Sequence, residues 1–160
     1  MKRAFLVLAL TGLAACVPYP VAEWRYEAKG DRCAARSQNF VVGECDDYEI
    51  NIEPGVEISP HVSTDADGLE ISVAIHSKTQ PWQLKSNVIA LVINDRSTAL
   101  SAHRMSTGIG FTNYYFHYPD NTIREFKIVS AIVSTERKER QLPDIRVKFG
   151  TRMVVSGILQ

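Results

Sequence analysis

An alternation of apolar and polar side chains runs through the segment GLEISVAIHS, residues 68–77. The apolar set is Leu69, Ile71, Val73 and Ile75, and the set between them is Glu70, Ser72, Ala74 and His76. A period of two residues is the pattern of an antiparallel strand with one face in the core and one face in water. No stretch of about ten residues keeps the 3.6-residue period of an amphipathic helix. The sequence therefore predicts a protein made of β-strands.

Turn signals divide the chain after residue 48 into short segments of this kind. They are EPG, DADG, INDRS and YPDNT, at residues 53–55, 65–68, 93–97 and 118–122. Short strands with Pro, Gly, Asn and Asp between them are typical of two packed antiparallel sheets. We therefore expect an all-β domain over residues 38–160, built as an immunoglobulin-like antiparallel two-sheet sandwich. A closed barrel is the alternative architecture.

Three segments give more specific expectations about this domain. NVIALVIND, residues 87–95, is apolar on both faces and predicts a central strand that is covered on each side. TALSAHRM, residues 98–105, is expected to form the strand that follows. STERKERQ, residues 134–141, is rich in charge and predicts a solvated hairpin loop.

The amino-terminal segment has a different composition. Residues 4–15 read AFLVLALTGLAA and follow Lys2 and Arg3. This run is too short for a membrane-spanning helix, which needs about 20 apolar residues. A basic start, a short apolar run and small residues at its end are the pattern of a secretory signal peptide.

The end of that segment carries a resemblance to a known class of proteins. LAAC, residues 13–16, resembles the lipobox of bacterial lipoproteins, in which small residues precede a cysteine. The resemblance implies that residues 1–15 are a cleaved signal peptide and that Cys16 carries acyl chains. Several acyl chains together hold a protein on a membrane stably. Val17 stands where aspartate would favour the inner membrane, which implies the periplasmic face of the outer membrane if the envelope is Gram-negative.

With Cys16 acylated, two of the three cysteines are left. Cys33 and Cys45 are an even pair in an oxidising compartment, and we expect a disulfide between them. Such a bridge closes a loop of about a dozen residues and stabilises by roughly 3 kcal/mol in the chain-entropy model. The competing interpretations are a zinc site and a catalytic thiol, and both lack the spacing that they need.

Residues 16–37 connect the lipidated cysteine to the predicted domain. Pro18 and Pro20 favour an extended tether that lifts the domain off the membrane. Trp24 and Tyr26 interrupt this pattern. We expect these two aromatic residues to dock on the domain as a first edge strand, and a position at the lipid interface is the alternative.

Charge and motifs exclude several function classes. Without Lys2 and Arg3 the acidic residues outnumber the basic ones by two, and no basic run or aromatic–basic motif indicates nucleic-acid binding. The histidines are His61, His76, His103 and His117. His103 and His117 lie in adjacent predicted strands, but a zinc site usually needs three or four ligands, so we expect no metal. No nucleophile motif and no phosphate loop is present, and we expect no cofactor.

The segment FTNYYFHYP, residues 111–119, provides a candidate binding surface. On a strand, one face carries Phe111, Asn113, Tyr115 and His117, and the other carries Thr112, Tyr114, Phe116 and Tyr118. One face must be core, and the other then presents its tyrosines to a partner. Trp82, in the predicted loop TQPWQ, is a second candidate contact. The alternative is that a loop or the tether covers these aromatic side chains, with Trp24 as a lid.

Three function classes follow from these features. The first is a membrane-anchored envelope lipoprotein that acts without catalysis, binding another envelope protein as an accessory or assembly factor. In outline this architecture is similar to the outer-membrane lipoprotein of type VI secretion systems, with no motif in common. The second is an envelope inhibitor or immunity-type lipoprotein that binds a soluble target. The third is an enzyme that acts on peptidoglycan or lipid.

Overall fold

A computed structural model of the chain describes residues 19–28, 49–78, 80–129 and 131–154. The predicted signal peptide and the three cysteines, Cys16, Cys33 and Cys45, lie outside the described residues, so the lipid anchor and the disulfide stay predictions. Among the described residues the structure contains no helix that is long and apolar enough to cross a membrane.

The chain divides into two compact units. The described part of the smaller unit consists of residues 19–23 and 149–154, which belong to two neighbouring strands of one sheet. The larger unit, residues 24–148, contains the other strands, the core and the candidate site.

The described strands form three sheets. Sheet A has the order β1 (Tyr19–Ala28), β13 (Ile145–Val154), β10 (Glu125–Val129), β6 (Val88–Ile93) and β7 (Arg96–Ser101). Sheet B has the order β2 (Ile50–Glu53), β3 (Val56–Thr64), β4 (Leu69–Ser77), β9 (Phe111–Tyr118) and β8 (Arg104–Gly108). Sheet C has the order β12 (Glu139–Gln141), β11 (Ile132–Ser134) and β5 (Gln83–Leu84).

The alternation of side chains decides what is buried. The buried side chains of β4 include the predicted apolar set, Leu69, Ile71, Val73 and Ile75. They join the inner faces of the other strands in one core cluster drawn from all three sheets. The predicted all-β antiparallel sandwich is confirmed, with a small third sheet in addition to the two expected ones. The sheets of the described residues end in edge strands rather than closing into the alternative barrel. An immunoglobulin-like connectivity stays a prediction.

The predicted turn segments form turns. Asn94 and Asp95 have φ angles of 48° and 62°, as in the type I′ turn that suits the twist of a two-residue hairpin. The side-chain oxygen Oδ1 of Asp65 accepts hydrogen bonds from the N–H groups of Asp67 and Gly68, each at 2.9 Å. The charged segment STERKERQ forms the hairpin between β11 and β12, as predicted.

Strand β6 corrects one expectation. The sequence predicts cover on both faces, and the structure covers one: Ile89 and Leu91 are buried, whereas Val88, Ala90 and Val92 are half-buried on the opposite face. In the described part of the chain this second face of β6 therefore stays partly accessible to water. An apolar run therefore does not show how many layers pack against a strand, since that depends on distant segments.

The segment TALSAHRM is not one strand, which is a second correction. Residues 98–101 end β7 in sheet A, and residues 104–105 begin β8 in sheet B. Between the strands, the N–H of Ala102 donates to Asn87 O at 2.8 Å, and the N–H of His103 donates to Tyr115 O at 3.0 Å. The chain thus passes from one sheet to the other within two residues.

Strand β1 carries the two aromatic residues that were expected to dock. The Trp24 and Phe126 rings lie 5.8 Å apart between their centroids. The hydroxyl oxygen of Tyr26 accepts a hydrogen bond from the N–H of Val62 at 2.7 Å. Burial raises the pKa of Tyr26 to about 12, and the hydrogen bond from Val62 opposes this rise. Both aromatic residues pack against the core, as the docking prediction requires.

Candidate functional site

Strand β9 shows which of its two predicted faces is core. Thr112, Tyr114 and Phe116 are buried, so this face is internal. Tyr115 is half-buried and His117 is exposed on the opposite face. The outward pair is therefore Tyr115 and His117.

Tyr114 and Trp82 are wrong as surface contacts, because each is only 1% exposed. The hydroxyl oxygen of Tyr114 accepts a hydrogen bond from the N–H of Leu84 at 3.2 Å. Burial raises the pKa of Tyr114 above its usual value, and this hydrogen bond opposes the rise. Tyr118 is half-buried and packs against the core. Of the predicted surface aromatics, Tyr115 alone lies on the outer face of sheet B.

Tyr115 belongs to a network of polar contacts on that outer face. The Arg104 guanidinium lies 3.7 Å from the centroid of the Tyr115 ring, a cation–π arrangement. The side-chain amide of Asn113 donates to the Tyr115 hydroxyl at 3.0 Å. Glu70 accepts from Arg104 at 3.4 Å, and its other oxygen lies 3.8 Å from Nε2 of His103. These contacts pair Arg104, Glu70 and the Tyr115 hydroxyl with one another, whereas the side-chain oxygen Oδ1 of Asn113 is buried and has no hydrogen-bond partner among the described residues.

The histidines share the same side of the molecule. His61 lies opposite Ser72, His76 lies between Glu57 and Phe111, and His117 lies opposite Glu70. His103 reaches Glu70 from the residue before β8, so Glu70 contacts His103 and lies beside His117. The described residues nevertheless contain no group of three or more His, Cys, Asp or Glu side chains that can hold a metal ion.

A groove opens at one end of sheet B, with a volume of about 870 Å³. The β2–β3 turn, the β8–β9 turn and the connection from β4 to β5 meet there. The side chains that give the groove its chemistry are Glu49, Glu57, His76, Trp82, Ile109 and Phe111. We call this the end groove. It combines half-buried carboxylates, an imidazole, a buried indole and exposed apolar surface.

The turn between β8 and β9 forms one wall of the end groove. Gly110 has a φ of 79°, a conformation that favours glycine, and its carbonyl accepts a hydrogen bond from the N–H of Ser77 at 2.8 Å. This bond ties the turn to the end of β4. Ile109, at the tip of the turn, is fully exposed.

The Phe111 ring lies over Gly108 of the neighbouring strand β8. A Cβ added to Gly108 would stand 2.2 Å from Cε1 of Phe111, so the ring occupies the space that a side chain at this position would need. The rings of Phe111 and His76 have centroids 6.3 Å apart. Glu57, His76 and Phe111 thus form a row across β3, β4 and β9.

Sequence reasoning missed the end groove and the hairpin that forms its wall. The signal was TGIGF, residues 107–111, which does not fit a phosphate loop because it has too few glycines and no helix after it. A bulky apolar residue between two glycines, with strands on either side, also describes an exposed hairpin tip. Glu49 and Glu57 gave no signal, since their proximity depends on the pairing of β2 with β3.

Comparisons with known proteins found no match: no family model, no curated protein and no solved structure is similar to this chain at a significant level. The end groove and the β8–β9 hairpin are features of the described residues that another molecule can contact. An apolar tip, an edge strand and unpaired carboxylates can bind a polypeptide without covalent chemistry.

Proposed function

We propose that this protein is a membrane-anchored envelope lipoprotein that binds another envelope protein and acts as an accessory or assembly factor. The leader and Cys16 support the anchor, as the resemblance to bacterial lipoproteins implies. The β8–β9 hairpin supports the binding role. An inhibitor or immunity-type lipoprotein uses the same kind of contact on a soluble target and is the alternative.

The observation that carries the proposal is the concentration of exposed apolar side chains on one hairpin. The large apolar side chains exposed in the described residues are Tyr19, Met105, Ile109, Phe111 and Ile132. Three of the five lie on the hairpin of residues 104–118, with exposed fractions of 53% for Met105, 105% for Ile109 and 40% for Phe111. Ile109 and Phe111 adjoin at the tip of this hairpin, whereas Met105 pairs with Tyr114 and lies on the other face of the strands. Exposed apolar side chains at a hairpin tip are typical of a surface that another protein covers.

Strand β8 adds a second feature of a contact surface. Within the part of the chain that the structure describes, it lies at the edge of sheet B, and all five of its residues are exposed. Natural edge strands are protected by bulges, prolines or charges, because their free backbone groups can pair with another strand. Strand β2, at the other edge, has an irregular register between Asn51 and Glu53, whereas β8 pairs with β9 in an unbroken register and carries one charged residue, Arg104.

Site-specific photo-crosslinking in cells tests the binding role. A photoreactive residue is placed at position 109 of the full lipidated chain, and the matched control is placed at position 132, an exposed isoleucine in sheet C. We expect one dominant envelope protein to be captured from position 109 and not from position 132. Equal capture from both positions, or none from position 109, contradicts the proposal.

The same experiment separates the proposal from its alternative. A resident envelope protein captured in unchallenged cells supports an accessory or assembly role. A protein captured only when it is supplied from outside the cell supports the inhibitor. Ile109→Ser, introduced beside a photoreactive residue at position 107, is expected to reduce the capture several-fold with no change in folding, because Ile109 makes no buried contact.

The anchor has its own test. Cys16→Ser removes the thiol that the lipoprotein resemblance assigns to the acyl chains. We expect the variant to lose fatty-acid labelling and to leave the membrane fraction. Cys33→Ser is the matched control, since the acyl attachment is not expected at that residue. A variant at Cys16 that is still labelled contradicts the anchor.

A further inference from the structure

We propose that the end groove binds an extended peptide segment that carries a lysine or arginine about three residues away from an apolar residue. This inference rests on the proposed binding role and names the chemistry that the partner presents. It uses three features of the groove: its carboxylates, its apolar wall and a buried N–H without a partner.

The carboxylates are Glu49 and Glu57. Glu49 precedes β2, and Glu57 lies opposite Asn51 of that strand, so the two residues are diagonal neighbours on the outer face of sheet B. Both side chains are half-buried. Neither forms an ion pair with any described residue, and the one lysine of the lining, Lys78, forms none with them. Two unpaired carboxylates on one face of the sheet attract a cation to that face.

The apolar wall consists of Ile109 and Phe111. These side chains face the groove from the β8–β9 hairpin, at the opposite end of the row that begins with Glu57. Adjacent strands of a sheet lie about 4.7–4.9 Å apart. Glu57 and Phe111 are two strands apart, so their backbones are separated by roughly 10 Å. An extended peptide spans this distance with about three residues. It can therefore place a basic and an apolar side chain at the two ends.

The unpartnered donor belongs to Trp82. Its indole nitrogen Nε1 is buried and has no hydrogen-bond partner in the described part of the chain. A buried N–H without an acceptor is unfavourable and rare. Trp82 lines the end groove, but its Nε1 is closed off from the surface, so a peptide carbonyl can accept from this N–H only if the lining shifts when the peptide binds.

These features favour a peptide over a lipid surface or a glycan. An exposed isoleucine at a hairpin tip also suits insertion into a membrane, but the carboxylates beside it repel the anionic surfaces of bacterial membranes. A neutral glycan supplies hydroxyl groups and leaves both carboxylates without a counter-charge. A basic peptide with an apolar side chain matches the carboxylates and the apolar wall together.

The test uses nuclear magnetic resonance on the full chain, made as Cys16→Ser so that no lipid is attached. The probe is acetyl-Val-Lys-Val-Lys-Val-amide, and acetyl-Val-Glu-Val-Glu-Val-amide is the matched control. The indole N–H signals of Trp24 and Trp82 are distinguished by Trp24→Phe. We expect the lysine peptide to shift the Trp82 signal and to bind at least about tenfold more tightly than the glutamate peptide, since charge-assisted hydrogen bonds are of that strength.

Substitutions assign the effect to the carboxylates. Glu49→Gln combined with Glu57→Gln keeps the shape of the groove, and we expect it to weaken the lysine peptide about tenfold or more. Glu136→Gln and Asp144→Asn, which remove exposed carboxylates outside the groove, are the controls and should leave the affinity unchanged. Higher salt should weaken binding to the unmodified groove.

Several results overturn the inference. They are equal binding of the two peptides, no shift of the Trp82 signal at millimolar peptide, and stronger binding to phosphatidylglycerol vesicles or to a peptidoglycan fragment than to the lysine peptide. If position 109 still captures an envelope partner in cells, the inference about the groove fails while the proposed function stands. If position 109 captures nothing, the proposed function fails whatever the peptide does.

Discussion

The two strands of the β8–β9 hairpin differ in what they contribute. Strand β9 lies between β4 and β8, and Thr112, Tyr114 and Phe116 face the core. Among the described strands β8 has a neighbour, β9, on one side only, and all its residues are exposed although the register between the two strands is unbroken. The covered strand therefore supplies stability, whereas the edge strand supplies a surface. Substitutions at matched positions of the two strands test this division.

The largest expected effect compares two phenylalanines of β9. Phe116 is fully buried, and Phe111 is 40% exposed beside the end groove. Phe116→Ala should lower the free energy of unfolding by about 3–5 kcal/mol, the usual result of emptying a core position. Phe111→Ala should lower it by less than about 1.5 kcal/mol, since much of its ring contacts water already. Urea unfolding of both variants measures the difference, and equal losses would show that the hairpin is not divided in this way.

The next effect compares two glycines beside β9. A Cβ on Gly68 would lie 2.1 Å from the backbone oxygen of Tyr118, and Gly68 also has a φ of 155°. Gly68→Ala should therefore lower the free energy of unfolding by about 2 kcal/mol or more, because the backbone at Gly68 or Tyr118 has to move. A Cβ on Gly108 would meet only the Phe111 ring, which can rotate away, so Gly108→Ala should cost less than about 1 kcal/mol.

Thermal and urea unfolding rank the two glycine variants. Gly108→Ala should also displace the Phe111 ring from β8 and change the end groove, which a shift in the aromatic resonances of Phe111 reports. A Gly108→Ala variant that is as unstable as Gly68→Ala would mean that the Phe111 ring is held firmly at the edge of the sheet.

A smaller effect compares neighbouring tyrosines. Tyr114→Phe removes the acceptor of a buried N–H, that of Leu84, and should cost about 1–2 kcal/mol. Tyr115→Phe removes the hydroxyl that accepts a hydrogen bond from the Asn113 amide, on a face that water reaches. This substitution should lower the free energy of unfolding by less than about 0.5 kcal/mol. Chemical denaturation resolves the two. A larger loss at Tyr115 would mean that its network with Arg104 stabilises the sheet more than exposed contacts usually do.

The smallest effect contrasts β8 with β1, an edge strand that is docked. The pKa of Tyr26 is about 12 in the folded protein, and an unfolded tyrosine has a pKa near 10. As the pH rises above about 10, the unfolded chain loses this proton first, so the contribution of Tyr26 to stability falls and is lost as the pH approaches about 12.

Tyr26→Phe removes this dependence on pH. Between about pH 9 and pH 10.5 the free energy of unfolding should fall more in the unmodified protein than in the variant. We expect this extra loss to be measurable but smaller than about 1 kcal/mol. The difference between the two unfolding curves isolates Tyr26 from the other tyrosines, which titrate in both proteins. Parallel curves would mean that the Tyr26 hydroxyl is open to water in solution.

Much of the fold could be predicted because alternation is a local property. The set Leu69, Ile71, Val73 and Ile75 is buried as expected, and the polar segments with Asn, Asp and Gly are turns. The alternation in the sequence also assigns the side chains of β9 to its two faces correctly. Alternation does not show which of two aromatic faces is core, and the structure buries the face of Tyr114 because that face joins the inner side chains of the other sheets in the core cluster.

The candidate site was less predictable because it depends on contacts between distant segments. Trp82 was expected at a loop tip in water, but its loop turns inward and the indole fills the core. Glu49 and Glu57 come together only through the pairing of β2 with β3. Ile109 has no neighbour to cover it in the described residues, which its own sequence neighbourhood does not reveal.

The sequence by itself determined an all-β protein, the position of its turns, and a lipoprotein-like leader whose anchor stays a prediction. The tertiary structure decided that TALSAHRM passes between two sheets, that β8 is left at an edge, and that an end groove forms beside it. The reason is physical. A repeat of two residues and a turn residue with positive φ act through their immediate neighbours, whereas edge, cover and groove are set by strands that meet from far apart in the chain.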